Sequence, residues 1–189
     1  WQDTRALEES CTGIDVVIQA AGMNAQESAA APVSALEFNG LATTRLLYAA
    51  KKMRVKRFIY LSTAHVYASP LIGIINEDTC PHNLHPYATS HLVGENMVLA
   101  INKKSGIECI VLRLSNVFGA PVHKDVNCWM LLVNDLCKQA VQTHKLVTTR
   151  EMVLRSSGMQ RRNFIAMEDV SRAILHFLRL PVCDLEKIS

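Results

Sequence analysis

A chain of 189 residues suffices for one domain of ordinary size, and its balance of 49% hydrophobic and 20% charged residues excludes a disordered or collagen-like protein. The 20 Lys and Arg against 17 Asp and Glu leave a formal charge of +3 with the basic residues scattered, so no nucleic-acid footprint is present. No apolar run approaches the ~20 residues that a membrane-spanning helix needs, and Trp1-Gln2-Asp3-Thr4-Arg5 lacks the anatomy of a signal peptide, so a soluble, cytoplasmic protein is expected.

In chain order, Asp3 caps a short helix through Glu8 and Glu9 that Gly13 ends, and residues 15–20 read as a buried strand. In a wound α/β fold each helix crosses over from an earlier strand, so a chain that opens on a helix reads as starting mid-fold. Val33, Leu36, Leu41, Leu47, Tyr48 and Met53 recur at helical spacing behind Pro32 and predict one long helix over 33–53. Residues 57–62 form an apolar, partly β-branched run and read as the second strand. Pro70, Pro81 and Pro86 with Gly73, Asn76 and Asp78 make 69–86 a loop. A helix over 86–102 is predicted to bury Leu92, Val93, Met97, Ala100 and Ile101 on one face, and residues 108–114 give the third strand. An apolar helix around 129–140, an irregular stretch to Gly158, a short strand at 163–167 and a last helix opened by Glu168 and Asp169 complete the chain. Helices alternating with near-continuous apolar strands give an α/β class with a parallel sheet covered on both faces.

Open parallel sheets bind ligands beyond the carboxyl ends of their strands. Three segments occupy such places: Ala20-Ala21-Gly22-Met23-Asn24, Ser62-Thr63-Ala64-His65-Val66-Tyr67 and Ser115-Asn116-Val117-Phe118-Gly119. Tyr87 and His91, four residues apart, share one helix face. A tyrosine beside a hydroxyl and a cation is a workable acid/base, because a nearby positive charge lowers its free pKa of ~10. On the residues alone, a Tyr and a His that only cap and solvate the helix start is the stronger reading. Cys80, His82 and His85 lack a fourth ligand at standard spacing, so no metal site is expected. Ser62, His65 and Asp78 lack the flanking glycines of a hydrolase nucleophile, and His65, His123, His144 and His176 read as surface or packing residues. The six cysteines contain no CxxC pair and several lie in apolar runs, which predicts free, buried thiols in a reducing compartment.

Six segments, in this order, carry a resemblance to a known family: 15–22, Asn39-Gly40-Leu41-Ala42-Thr43, 58–67, Tyr87-Ala88-Thr89-Ser90-His91, 112–119 and 162–170. Together they resemble the extended short-chain dehydrogenase/reductases of the NAD-dependent epimerase/dehydratase type, a group that includes nucleotide-sugar epimerases and dehydratases and relatives of 3β-hydroxysteroid dehydrogenase. The resemblance implies a Rossmann-like, doubly wound parallel sheet over 1–120, part of a substrate lobe over 121–160, and a return to the sheet domain over 161–189. It implies an NAD(P)-dependent oxidoreductase or epimerase/dehydratase that acts on a hydroxyl or carbonyl of a small molecule such as a nucleotide-sugar, and it is compatible with a homodimer.

Thr63 and Tyr87 match the family's catalytic Ser/Thr and Tyr. Ala20, Ala21, Gly22, Asn39 and Ser115 match positions around the NAD or NADP cofactor, together with Tyr87 and His91, while Asn116 and Arg162 match substrate-binding positions. Two departures stand out. His91 occupies the place of the lysine in Tyr-x-x-x-Lys, and an imidazole of pKa ~6.5 is mostly neutral at pH 7, so chemistry suffers more than binding. A non-catalytic NAD(P)-binding or regulatory relative is therefore the alternative reading. The glycine-rich turn with which relatives begin does not precede Trp1, so the given residues are expected to hold half of a dinucleotide site and to show little or no affinity for NAD(P).

Overall fold

The computed structural model describes residues 1–102, 106–123, 125–145, 154, 157–159 and 161–181. Its contacts divide the chain into two units, one of Trp1–Leu114 with the stretch from His176, the other of Ser115–Leu175.

The first unit is built on β2 (Arg57–Thr63), which lies between β1 (Val16–Gln19) and β3 (Glu108–Leu114) in an all-parallel sheet of order β1-β2-β3. Val17 pairs with Phe58, and Ile59 with Ile110. Six of the seven β2 residues are buried, which is why this strand reads as an unbroken apolar run rather than an alternating one. Leu47, Ala50, Val55, Phe58, Tyr60, Val98, Ile101 and Ile107 form its core, with Cys11 and Cys109. The cysteine expectation holds only in part: five described thiols are free, but Cys80 and Cys137 are exposed, because they lie in a loop and on an outer helix face; Cys183 lies outside the described residues.

Asp3 caps α1 (Thr4–Cys11) by accepting from the Ala6 amide at 3.0 Å. The expected single helix over 33–53 is three segments: α3 (Pro32–Ala35), a π-helical stretch Leu36–Ala42, and α4 (Thr43–Lys52). The π turn carries Asn39, whose side chain is committed elsewhere, and such bulges gather at functional sites. Sequence reading passed over α2 (Ala25–Ala30), although Asn24 and Glu27 spell its capping box.

α5 (Pro86–Asn102) corrects the predicted apolar face. The buried positions are Ala88, Ser90, His91, Gly94, Glu95, Val98 and Ile101, while Ala100 is exposed and Leu92, Val93 and Met97 are half-buried. Polar side chains occupy the covered face because β2, β3 and Asn39 of the π-helical stretch supply partners for them.

In the second unit β4 (Asn116–Phe118) pairs parallel with β5 (Phe164–Ala166), and the short β4 was absent from the sequence reading. α6 (Leu132–Lys145) starts three residues later than predicted, and its buried Asn134 both accepts from the Gly119 amide at 3.1 Å and donates to the Gly119 carbonyl at 3.0 Å. α7 (Met167–Arg179) follows β5. The side chain of His144 and most of 146–160 lie outside the described residues.

Arg57 is the one buried charge at the start of β2. It pairs with Glu108 and donates to the carbonyls of Phe177 and, at 2.8 Å, Leu180, so it closes the C-terminal end of α7. Arg57→Met strands Glu108 in the interior and leaves two carbonyls unpaired; chemical denaturation is expected to show a loss of about 3–5 kcal/mol.

Candidate active site

α5 starts beside His85, whose Nδ1 accepts the Tyr87 amide hydrogen at 3.2 Å and whose carbonyl accepts from the Thr89 amide at 2.9 Å. Its first turns then present Tyr87, His91 and Glu95 at intervals of four residues, which places all three on one face. That face meets the end of β2. The Tyr87 hydroxyl is within hydrogen-bonding reach of Thr63, His91 Nδ1 lies 2.9 Å from the Tyr60 hydroxyl, and Glu95 accepts from Ser62 Oγ. The Tyr87 and His91 rings meet edge-on with centroids 4.6 Å apart. Gly94 makes the approach feasible, since a Cβ there would stand 2.9 Å from the Tyr60 hydroxyl and 3.1 Å from the Asn39 carbonyl.

Glu95 is fully buried and is held by Arg113 of β3 through Nε at 3.0 Å and Nη2 at 2.7 Å. Arg113 also donates to the Tyr67 hydroxyl at 2.6 Å, so one ion pair ties α5, β3 and the turn after β2 together.

Asn39 joins the loop after β1 to the same helix. Its Oδ1 accepts from the Met23 amide at 2.7 Å and its Nδ2 donates to Ser90 Oγ at 3.0 Å, while Ser90 Oγ donates to the Tyr87 carbonyl at 3.0 Å. The preceding Ala20, Ala21 and Gly22 are exposed. A Cβ on Gly22 would sit 3.2 Å from Asn39 Oδ1 and 3.7 Å from His91 Nε2, so the bare backbone leaves room against that edge of the imidazole.

Burial pushes the His91 pKa down to about 4, which makes it a neutral base at pH 7. Burial likewise raises Tyr87, with the Thr63 hydroxyl pulling the other way, and it raises Tyr60, where the charge of Glu95 adds to the effect. Beside Tyr87 lies a recess of about 170 Å³ lined by His65, Ser69, Asn83 and His85.

The structure thus brings Thr63, Tyr87, His91, Gly22 and Asn39 together in the first unit, with Ala20 and Ala21 adjoining them in the chain. Ser115, Asn116 and Arg162 belong to the second unit, where Asn116 Nδ2 donates to the Asn163 carbonyl at 3.0 Å and Arg162 is exposed. Sequence reading missed Tyr60, Gly94, Glu95 and Arg113. Glu95 was legible as the next step of the Tyr87–His91 spacing; Tyr60 and Arg113 looked like ordinary strand residues. His65, read as a surface or packing residue, lines the recess.

Because His91 titrates lower in the folded chain than in the unfolded one, the unfolded state takes up the proton first on acidification. Stability attributable to this residue is therefore full above pH 6.5 and falls toward pH 4, by about 3 kcal/mol at the lower value. The difference in unfolding free energy between wild type and His91→Gln, followed from pH 7 to pH 4, is expected to move by that amount; a pH-independent difference contradicts the burial of a neutral imidazole.

The model of the NAD dependent epimerase/dehydratase family matches residues 1–186. The dTDP-D-glucose 4,6-dehydratase of Homo sapiens is 30% identical over 152 residues, 78% of this chain and 40% of the relative. The dTDP-glucose 4,6-dehydratase of Streptomyces niveus is 25% identical over 173 residues, 91% of this chain and 48% of the relative. Among solved structures, UDP-glucuronic acid 4-epimerase from Bacillus cereus, in complex with UDP-glucuronic acid and NAD, matches with a TM-score of 0.75 at 26% identity, covering 92% of this chain and 52% of the other. The chain spans about half the length, or less, of the curated relatives it matches.

Proposed function

The chain belongs to the NAD dependent epimerase/dehydratase family, and from that premise we propose that it serves an NAD(P)-dependent oxidoreductase or epimerase/dehydratase acting on a hydroxyl or carbonyl of a nucleotide-sugar. The observation that carries this reading is the meeting of Tyr87 and Thr63 at the carboxyl end of β2, with His91 packed edge-on against the Tyr87 ring. Thr63 holds the reacting oxygen by a hydrogen bond, and Tyr87 gives or takes its proton.

The residues present fit the nicotinamide-ribose part of a dinucleotide. Gly22 offers bare backbone, Asn39 fixes the Met23 amide that follows it, and His91 turns its Nε2 edge toward the same place. When bound, the nicotinamide supplies hydride exchange at the reacting carbon. Ala20, Ala21, Gly22, Asn39, Tyr87 and His91 line the cofactor in this reading, and Ser115 joins them on the strength of the family resemblance alone. Asn116 and Arg162 contact the substrate on the same footing, and the recess beside Tyr87 admits the sugar. The free thiols support a reducing, cytoplasmic setting.

A neutral His91 can still hydrogen-bond a ribose hydroxyl but adds no positive charge to stabilise a phenolate. That observation favours the second reading, a non-catalytic NAD(P)-binding relative. The two separate in an assay with NAD(P) and UDP-glucose, UDP-glucuronic acid or dTDP-glucose. Tyr87→Phe is expected to lower kcat by at least ~100-fold while NAD(P) affinity stays within a few-fold of wild type. Binding of NAD(P) without conversion of any of these sugars, by wild type as by Tyr87→Phe, overturns the enzyme reading in favour of the binding one.

A further inference from the structure

The residues that lead into α5 are held by hydrogen bonds rather than by apolar packing. The stretch 82–85 contains no buried side chain, and its one large apolar residue, Leu84, is 91% exposed. Yet this stretch delivers Tyr87 to its place. We propose that Asn83 is a positioning residue for Tyr87, clamping the turn after β2, which follows Thr63, to the cap of α5, which precedes Tyr87.

From Thr63 to Tyr87 runs a path of four hydrogen bonds, each with a backbone group at one end, so every donor and acceptor is fixed. The His65 amide donates to Thr63 Oγ1 at 3.1 Å. The His65 carbonyl accepts from Asn83 Nδ2 at 2.7 Å, and Asn83 Oδ1 accepts from the His85 amide at 3.0 Å, which uses each end of the side-chain amide in the one sense open to it. His85 Nδ1 in turn accepts from the Tyr87 amide at 3.2 Å. Pro86 has no amide hydrogen, so the Tyr87 amide is the first in the helix that needs a partner from outside it.

The backbone on either side repeats the clamp. The Asn83 amide donates to the Val66 carbonyl at 3.3 Å and the His82 amide to the Tyr67 carbonyl at 3.1 Å. The chain therefore leaves the site at Tyr67 and returns to it at His82, and Asn83 makes the return. Ser90 and His91 hold Tyr87 from within α5 and move with that helix, whereas Asn83 ties its first turn to a different element. His65, Asn83, His85 and Tyr87 also line one recess, so loss of the clamp loosens its wall as well. The effect on catalysis rests on the reading of Tyr87 as the acid/base; the seating of its ring does not.

The chain has four tyrosines, and NMR of protein labelled with ¹³C at tyrosine Cζ reads the setting of each at pH 7, with Tyr87 assigned by the loss of its signal in Tyr87→Phe. Asn83→Leu is expected to shift or broaden the Tyr87 signal and to speed exchange of the Tyr87 and Thr89 amides about tenfold, while the Tyr48 and Tyr60 signals stay in place. Asn83→Asp still accepts from the His85 amide but has no hydrogen for the His65 carbonyl; it is expected to displace Tyr87 with Tyr48 and Tyr60 unmoved, and it serves if Asn83→Leu does not fold. In the nucleotide-sugar assay its kcat is expected to fall about tenfold or more, with the KM for NAD(P) within a few-fold of wild type. A Tyr87 signal unchanged in the folded variants, Tyr48 and Tyr60 displaced as far as Tyr87 in Asn83→Asp, or an unchanged kcat beside an active wild type overturns the proposal. A wild type that converts no sugar overturns the acid/base reading alone, and the Tyr87 signal still decides whether Asn83 seats that ring.

Discussion

Whatever chemistry the first unit can perform depends on the seating of one face of α5 against the end of β2. Tyr87, His91 and Glu95 meet Thr63, Tyr60 and Ser62, three polar pairs buried where apolar contact would be the cheaper choice. Such a seam is favourable only when its members find partners, and here each of the six residues has one. Gly94 removes the side chain that would wedge the two elements apart, and the Glu95–Arg113 ion pair extends the seam to β3. Asn39, set in the π turn, extends it in the other direction to the loop after β1. Tyr87 is thereby fixed by strand, helix and loop at once, which is what a preorganised acid/base requires.

The seam also decides where charge is permitted. The Glu95–Arg113 ion pair is turned inward and spent on holding α5, β3 and Tyr67, and the residue beside the tyrosine is an uncharged imidazole. Position is secured and electrostatic activation is not. A phenol raised by burial, with Thr63 pulling the other way, stays protonated at neutral pH and has no ready phenolate to take a proton, and the effect of a permanent cation at position 91 follows from the same geometry.

Much of this was legible in the sequence, for physical reasons that differ by element. β2 is buried on both faces and β3 is half-buried or buried along its length, so both announced themselves as apolar runs; Asp3 announced the first cap. Thr63, Tyr87, His91 and Gly22 stood out as candidates because ligands collect at the carboxyl ends of parallel strands and four-residue spacing defines a helix face, while the roles expected of them came with the family resemblance. The covered face of α5 was misread because hydrophobicity was taken as the mark of burial, while the helix buries Ser90, His91 and Glu95 through partners far away in sequence. The break of the long helix into α3, a π turn and α4 has no signal in side-chain periodicity, since the extra residue per turn exists to aim Asn39. Tyr60 and Arg113 carried no mark at all until the fold placed them beside α5.

The central claim, that His91 positions without activating, is tested most directly by the pH dependence of kcat/KM for nucleotide-sugar conversion in wild type and His91→Lys. With a neutral imidazole the acidic limb, set by Tyr87, lies on the alkaline side of neutrality, and lysine moves it down by about one unit or more. A wild-type limb already below pH 7, or identical limbs in the two proteins, contradicts the account.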